Sequence, residues 1–126
     1  MGPLYLFDVM SRNNHWLGAR QALVAQNVAN ASTPGYKAVD VKPFSEALDR
    51  TQLDLARTAE GHLNLGDPAT VEPDNDTAAS NEVLHSGNNV GLEKEFIKSS
   101  EIGRAYSLNT SVMKSFNRML LLSVKG

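Results

Sequence analysis

Residues 25–37 read AQNVANASTPGYK, and a helix has to end within this stretch. Thr33 precedes a proline, which disfavours the helical conformation at Thr33, and Pro34 fixes its own φ. Gly35 tolerates the positive φ that a type II turn requires at its third position. The stretch therefore predicts that a long N-terminal helix stops here at a defined angle, and it contains no reactive group.

The residues before this turn repeat with the 3-4 spacing of a heptad seam. Asn14 and Gln21 occupy two seam positions. These polar residues either fix the register and the partner of the helix, or they are a solvated gap in an ordinary amphipathic helix. Asn27 and Asn30 share a helix face and offer amides to neighbouring backbone. We predict a helix from about Leu4 to about Asn30, within an N-terminal segment 4–31. Its apolar seam consists of Phe7, Met10, Leu17, Val24, Val28 and Ala31.

A second apolar stripe predicts a C-terminal helix from about Leu92 to about Val124, within a segment 88–124. Ser99, Ser100 and Gly103 interrupt this stripe, and a glycine inside a helix costs up to about 1 kcal/mol relative to alanine. Small residues at these positions would instead let another backbone approach closely. The stripe consists of Leu92, Phe96, Ile102, Ala105, Tyr106, Val112, Met113, Phe116, Met119 and Leu120.

The segment between these helices divides into two parts. Residues 32–60 hold the turn and a shorter middle helix, because apolar residues recur at helical spacing after Lys42. Residues 61–87 are polar and rich in turn-forming residues, which predicts a flexible connection. The whole chain, residues 1–126, is of a size for one domain.

The predicted fold class is mainly α, with the two long helices packed as an antiparallel coiled-coil-like hairpin. Two helices alone leave an apolar flank on each helix, which points to packing against other subunits. We therefore predict an assembly interface that includes Phe7, Met10, Leu17, Val24, Val28, Tyr106, Met113, Phe116, Met119 and Leu120.

Composition argues against several functions. The formal charge is −2, and acids and bases are interspersed, so neither nucleic acid nor direct lipid binding is expected. The chain has no cysteine, and its histidines lack ligand spacing, so we expect no metal and no cofactor. Glu93 and Glu95 are two residues apart on a helix and cannot converge on one bond, so no catalytic residue is assigned. The N-terminus lacks the pattern of a cleaved signal peptide.

Residues 25–37 resemble the signature of the bacterial flagellar rod and hook axial proteins, in which an Ala- and Asn-rich stretch leads into Thr-Pro-Gly-Tyr. A second match lies in residues 86–96, SGNNVGLEKEF, which looks most like the proximal rod proteins of the basal body. The residues that match the two segments are Asn27, Asn30, Thr33, Pro34, Gly35 and Tyr36, then Gly87, Asn88, Asn89, Val90, Leu92, Glu93 and Glu95.

The resemblance implies a structural subunit of the periplasmic flagellar rod, exported without a cleaved signal through the flagellar type III apparatus. Its implied partners are copies of itself, other rod proteins, the hook-basal body complex protein that joins the rod to the membrane ring, and the export apparatus. Gly91 stands where relatives usually have aspartate. This change leaves a weaker N-cap at the C-terminal helix, with Asn88 or Asn89 as substitutes.

The alternative function is a small coiled-coil adaptor or an export chaperone that shares only the helical seams. A chaperone would form a stable small oligomer by itself, whereas a rod subunit would be monomeric with loosely ordered termini.

Overall fold

The computed structural model describes residues 3–49, 73–75 and 82–126. Two long helices dominate this part of the chain: α1 spans Pro3–Ala29 and α3 spans Leu92–Lys125. Between them lie strand β1 (Asp40–Val41), a helical turn α2 at residues 44–49 and strand β2 (Pro73–Asp74). The mainly helical fold class predicted from the sequence is confirmed.

The two long helices run antiparallel along each other. Phe7 near the start of α1 packs edge-on against Phe116 near the end of α3, with ring centroids 5.4 Å apart. At the opposite end, Asn27 of α1 contacts Glu95 in the first turn of α3. The hairpin predicted from the two apolar stripes is therefore present.

The helix boundaries agree with the sequence to within about two residues. α1 ends at Ala29, and residues 30–35 form turns. Gly35 has φ 75°, and the Tyr36 N–H donates to the Thr33 carbonyl at 3.3 Å, as in a type II turn. The turn chemistry read from Pro34 and Gly35 thus decides where α1 stops.

The apolar core between the long helices is small. Among the described residues it centres on Leu17, Val24 and Ile102, with Trp16 and Ala105 packed against it. Met10, Ala38 and Val41 are also buried. A core of this size leaves much of the apolar surface of α1 and α3 without cover.

The chain after the turn folds back along α1 as a strap, by which we mean residues 38–44. The Trp16 indole N–H donates to the Lys42 carbonyl at 2.8 Å, and its ring lies 6.0 Å from that of Phe44. Strand β1 also pairs antiparallel with β2, with Asp40 opposite Asp74. Strands of two residues give no periodic signal, which is why the sequence did not predict them.

The start of α3 differs from one expectation. Gly91 is its N-cap and makes no side-chain capping bond, and neither Asn88 nor Asn89 replaces it. The proposed substitution was wrong because both asparagine side chains are engaged elsewhere, as described below. Acidic residues in the first turn, Glu93 and Glu95, lie where the helix dipole favours negative charge.

The middle of the chain is described only in part. Residues 44–49 are helical, in line with the start of the predicted middle helix, whereas its continuation to residue 60 lies outside the described residues. The proposed flexible connection, residues 61–87, also falls largely outside them.

Candidate functional site

The two signature segments meet at one end of the hairpin around four buried polar side chains. Asn27, Asn88, Asn89 and Glu95 are each exposed by 2% or less, and we call this group the asparagine junction. Their burial is possible because every buried side-chain nitrogen and oxygen in the described part of the chain has a hydrogen-bond partner. The junction therefore joins α1, the turn, the strap and the start of α3.

Asn27 lies at the centre of the junction and uses both ends of its amide. Its Nδ2 donates to the Val39 carbonyl at 2.8 Å and to Glu95 Oε2 at 3.2 Å. Its Oδ1 accepts the Val39 N–H at 3.1 Å and the Tyr36 hydroxyl at 3.2 Å. One side chain thus fixes the strap and α3 against the end of α1.

Asn88 closes the turn that follows α1. Its Nδ2 donates to the carbonyls of Asn30 and Thr33, at 2.9 Å and 2.7 Å. Its Oδ1 accepts the Val90 N–H at 2.8 Å, which shapes the approach to α3. These two carbonyls also accept the backbone N–H groups of Thr33 and Tyr36, so Asn88 adds a second donor to each and holds the turn closed.

Asn89 and the two turn glycines bring the backbones of both segments together. Asn89 Oδ1 accepts the Ala38 N–H, and the Gly35 N–H donates to the Ser86 carbonyl at 3.0 Å. Gly35 and Gly87 both have positive φ, and a Cβ added to Gly87 would lie 3.3 Å from the Gly35 Cα. The two turns pack backbone to backbone at a separation that leaves little room for a side chain on Gly87.

The Glu95 carboxylate connects the junction to a chain of charges. Lys98 Nζ lies 3.3 Å from Glu95 Oε1 and 3.5 Å from Asp40 Oδ2, so it bridges α3 to the strap. Arg20 donates to both oxygens of Asp40, at 3.1 Å and 3.3 Å, and lies 3.7 Å from Glu101. Sequence reasoning missed Arg20, Asp40 and Lys98, because no spacing rule connects residues on three separate elements.

Two pKa values respond to this environment. Burial acts to raise the pKa of Asp40, but hydrogen bonds from Arg20 and the Val41 N–H, and the nearby charges of Arg20 and Lys98, outweigh it and lower the pKa. Burial raises the pKa of Tyr36, and the negative charge of Glu95 adds to the increase. Asp40 therefore stays ionised and Tyr36 stays neutral at ordinary pH.

Some signature residues lie at the edge of the junction. Asn30 Nδ2 donates to the Gln26 carbonyl at 2.9 Å, and Thr33 Oγ1 donates to Asn30 Oδ1 at 3.2 Å. Pro34, Leu92 and Glu93 are exposed, so the structure does not bring them into the buried group. Glu93 and Glu95 face different ways, as their spacing indicated.

The residues proposed for assembly have two different surroundings. Met10, Leu17 and Val24 are buried within the hairpin, and Phe7, Met113, Phe116 and Leu120 are partly buried. In contrast, Val28, Tyr106 and Met119 are exposed. Further exposed apolar side chains on the long helices are Leu4, Tyr5, Phe96, Ile97, Leu108, Val112, Leu121, Leu122 and Val124.

The polar positions in the seam also differ from each other. Asn109 of α3 donates to Asn13 Oδ1 at 2.6 Å and to Asn14 Oδ1 at 3.0 Å, so Asn14 takes part in a polar contact between the helices. Gln21 is exposed and lies beside the seam. A polar contact within the seam fixes the register in which α1 and α3 pack.

The described residues include no cluster of His, Cys, Asp and Glu that could hold a metal ion. Within the same residues, no helix is long and apolar enough to span a bilayer. The asparagine junction holds the end of α1 and the start of α3 in a fixed geometry.

Comparisons with known proteins identify relatives of this chain. A family model described as flagella basal body rod protein matches residues 17–37, which comprise the second half of α1 and the turn. The chain is 43% identical over 129 residues to the flagellar basal body rod protein FlgB of Agrobacterium fabrum, covering 99% of this chain and 96% of that protein. It is 30% identical to the FlgB protein of Aeromonas hydrophila, with 85% and 83% coverage.

A more distant relative is the FlgB protein of Buchnera aphidicola subsp. Baizongia pistaciae, at 26% identity with 85% of each chain covered. Each of these relatives is a rod protein, and nothing among them favours an adaptor or a chaperone. Because the similarity to the Agrobacterium fabrum protein extends over nearly the whole of both chains, this chain belongs to the FlgB family of flagellar basal body rod proteins.

Proposed function

We propose that this chain is a structural subunit that assembles with other rod proteins into a helical tubular shaft, which transmits torque and encloses the export channel. The observation that carries the proposal is the exposed apolar surface on both long helices. On α3 it includes Tyr106, Leu108, Met119 and Leu122, which are 54%, 63%, 60% and 64% exposed. A hairpin with this much apolar surface is stabilised when neighbouring subunits cover it.

The asparagine junction supports the same role from within the subunit. A shaft that carries torque requires each helix pair to keep a fixed angle while load is applied. A fully satisfied buried polar network is specific in geometry, because any displacement leaves polar groups unpaired at a cost of about 1–3 kcal/mol each. The junction is thus suited to transmit force between helix ends without changing shape.

Membership of the family suggests specific partners, which we include in this proposal. They are further copies of the chain, other rod proteins, the hook-basal body complex protein that joins the rod to the membrane ring, and the type III export apparatus. We also propose location in the periplasmic rod, export without cleavage of a signal peptide, and a non-enzymatic role. The turn and the hairpin provide rigid packing surfaces rather than a substrate cleft.

The test is a deletion strain complemented with the chain or with two variants. The Leu122→Asp variant puts a charge on an exposed apolar position, and we expect it to be exported but absent from purified basal bodies. Ser107→Asp is the matched control and should restore swimming, because Ser107 is exposed on the same helix and its neighbours one turn away, Gly103, Arg104, Thr110 and Ser111, are not apolar. If wild-type chain is absent from basal bodies, or if Leu122→Asp swims normally, the proposal is wrong.

A further inference from the structure

A closed ring of contacts connects three elements at the asparagine junction. Asn27 of α1 donates to the Val39 carbonyl of the strap and to the Glu95 carboxylate of α3. Lys98, further along α3, lies 3.3 Å from Glu95 and 3.5 Å from Asp40 of the strap. Because Val39 and Asp40 are consecutive residues, the contacts lead from the strap through α1 and α3 and back to the strap.

The members of this ring are largely excluded from water. Asn27 and Glu95 are fully buried, and Asp40 is 8% exposed. Departure of the strap alone would take both Val39 partners from Asn27 while Glu95 still covers it. Departure of α3 alone would take Glu95 from Asn27 and Lys98 from Asp40. Either event leaves covered polar groups without partners, which is unfavourable, so each element stabilises the docking of the other.

The strap is held on α1 at a second point. The Trp16 indole N–H donates to the Lys42 carbonyl at 2.8 Å, and the Trp16 ring lies 6.0 Å from that of Phe44. Trp16 and Asn27 are about 16 Å apart along the axis of α1. A short segment that is fixed at both ends docks or leaves as a unit. Loss of the ring at Asn27 should therefore also loosen the contact at Trp16.

We propose that the strap is a latch whose docking on α1 is conditional on the docking of α3, so that the two elements close as one cooperative unit. The helical turn α2, residues 44–49, continues directly from the strap, and its position is conditional in the same way. The subunit thus completes its N-terminal half only when its C-terminal helix is in place. The latch is independent of the proposed function, because it concerns the single chain and not its assembly.

Hydrogen exchange in the purified full chain tests the latch with two neighbouring protons. The indole N–H of Trp16, the single tryptophan, reports on the strap. The amide N–H of Leu17 reports on α1 and the apolar core, in which Leu17 is buried. Lys98→Met keeps the apolar stem of the side chain but removes the charge that closes the ring. In this variant the indole N–H should exchange about tenfold faster or more, while the Leu17 amide stays within about threefold of its wild-type rate.

Two further variants are the controls. Lys114→Met makes the same change at an exposed position of α3 and should leave both rates at their wild-type values. Lys98→Arg keeps the positive charge and should restore slow exchange of the indole. An unchanged indole rate in Lys98→Met would overturn the inference, because the strap would then dock without help from α3. Equal acceleration of the indole and of the Leu17 amide would also overturn it, because the strap would then open only with the whole fold.

Asp40→Asn tests the coupling in the reverse direction, and it decides the question if Lys98→Met does not fold. This change removes the charge of the strap and leaves Glu95 in contact with Lys98. Coupling between two sites is reciprocal. The Glu95 amide N–H, which donates to the Gly91 carbonyl at 3.0 Å, should therefore accelerate by the same factor as the Trp16 indole N–H. Faster exchange at the indole with a wild-type rate at the Glu95 amide would overturn the inference.

Discussion

Replacing Asn27 with aspartate changes one atom of a fully buried amide and puts a second carboxylate beside Glu95. The amide nitrogen of Asn27 now lies 3.2 Å from Glu95 Oε2 and donates to it. In the variant an oxygen takes its place. Two unit charges at this distance repel by about 5 kcal/mol at an effective dielectric constant of about 20.

Protonation limits this loss. Protonating the introduced aspartate at pH 7, from an ordinary pKa near 4, costs about 4 kcal/mol. This cost is lower than the repulsion between two ionised carboxylates, so the protonated form is favoured. The variant also removes the donor to the Val39 carbonyl, which costs a further amount of about 1–3 kcal/mol, and we therefore expect Asn27→Asp to lower the free energy of unfolding by about 5–7 kcal/mol at pH 7. Domains of this size are stable by only about 5–15 kcal/mol, so the variant should be close to unfolded.

The second variant combines Asn27→Asp with Glu95→Gln, which exchanges the amide and the carboxylate. Repulsion disappears, while the Val39 carbonyl loses the donor that contacts it at 2.8 Å. The double variant should therefore retain a deficit of only about 1–3 kcal/mol. Asn30→Asp is the control, because Asn30 donates one exposed bond to the Gln26 carbonyl.

Urea unfolding followed by fluorescence of Trp16, the single tryptophan, measures these differences, since that indole docks on the strap. Amide exchange at Val39 gives an independent value for the same contact. Equal deficits for the single and double variants would refute the reasoning, as would an Asn27→Asp deficit no larger than that of Asn30→Asp.

Three further predictions concern the turn, the charge cluster and the aromatic contact. Gly35→Val should cost about 1–3 kcal/mol and block assembly while export continues, because a β-branched residue is strongly disfavoured at φ 75°; a swimming-plate assay with normal zones would contradict this. Because the pKa of Asp40 is lowered in the folded state, its pairing with Arg20 stabilises the fold above about pH 4, and this stabilisation is lost as pH falls through the lowered pKa. Urea unfolding midpoints measured from pH 7 to pH 2 should show the loss. The pH-dependent loss should be smaller in Arg20→Gln. Phe116→Asp should cost several kcal/mol by putting a charge beside Phe7, and it should leave basal bodies without rod or filament; filaments of normal number would refute an interface role for this face.

The degree of order in the free monomer shows how the long helices are stabilised. We expect dilute monomer to be only partly ordered, because long helices with a small core depend on tertiary contacts and on neighbours. The contacts around Asn27 should persist longest, with exchange slower there than at the far end of α3. Slow exchange throughout residues 7–30 of the monomer would contradict the expectation of partial order.

The sequence by itself determined the features that depend on nearby residues. Pro34 and Gly35 restrict their own dihedral angles, so the end of α1 and the turn were readable without any partner. Apolar periodicity likewise predicted both long helices, because periodicity is a property of the helix alone, and their places at opposite ends of a short chain favoured antiparallel pairing.

Tertiary structure decided the features that depend on residues far apart in the chain. Glu95 is fully buried because Asn27, 68 residues earlier, donates to it, and no local pattern distinguishes it from exposed Glu93. Asn88 and Asn89 looked like helix caps but pair with the turn and the strap instead. Which apolar residues of a stripe are buried was equally undecided, since Ile102 packs against Leu17 and Val24 of α1 whereas Met119 is exposed.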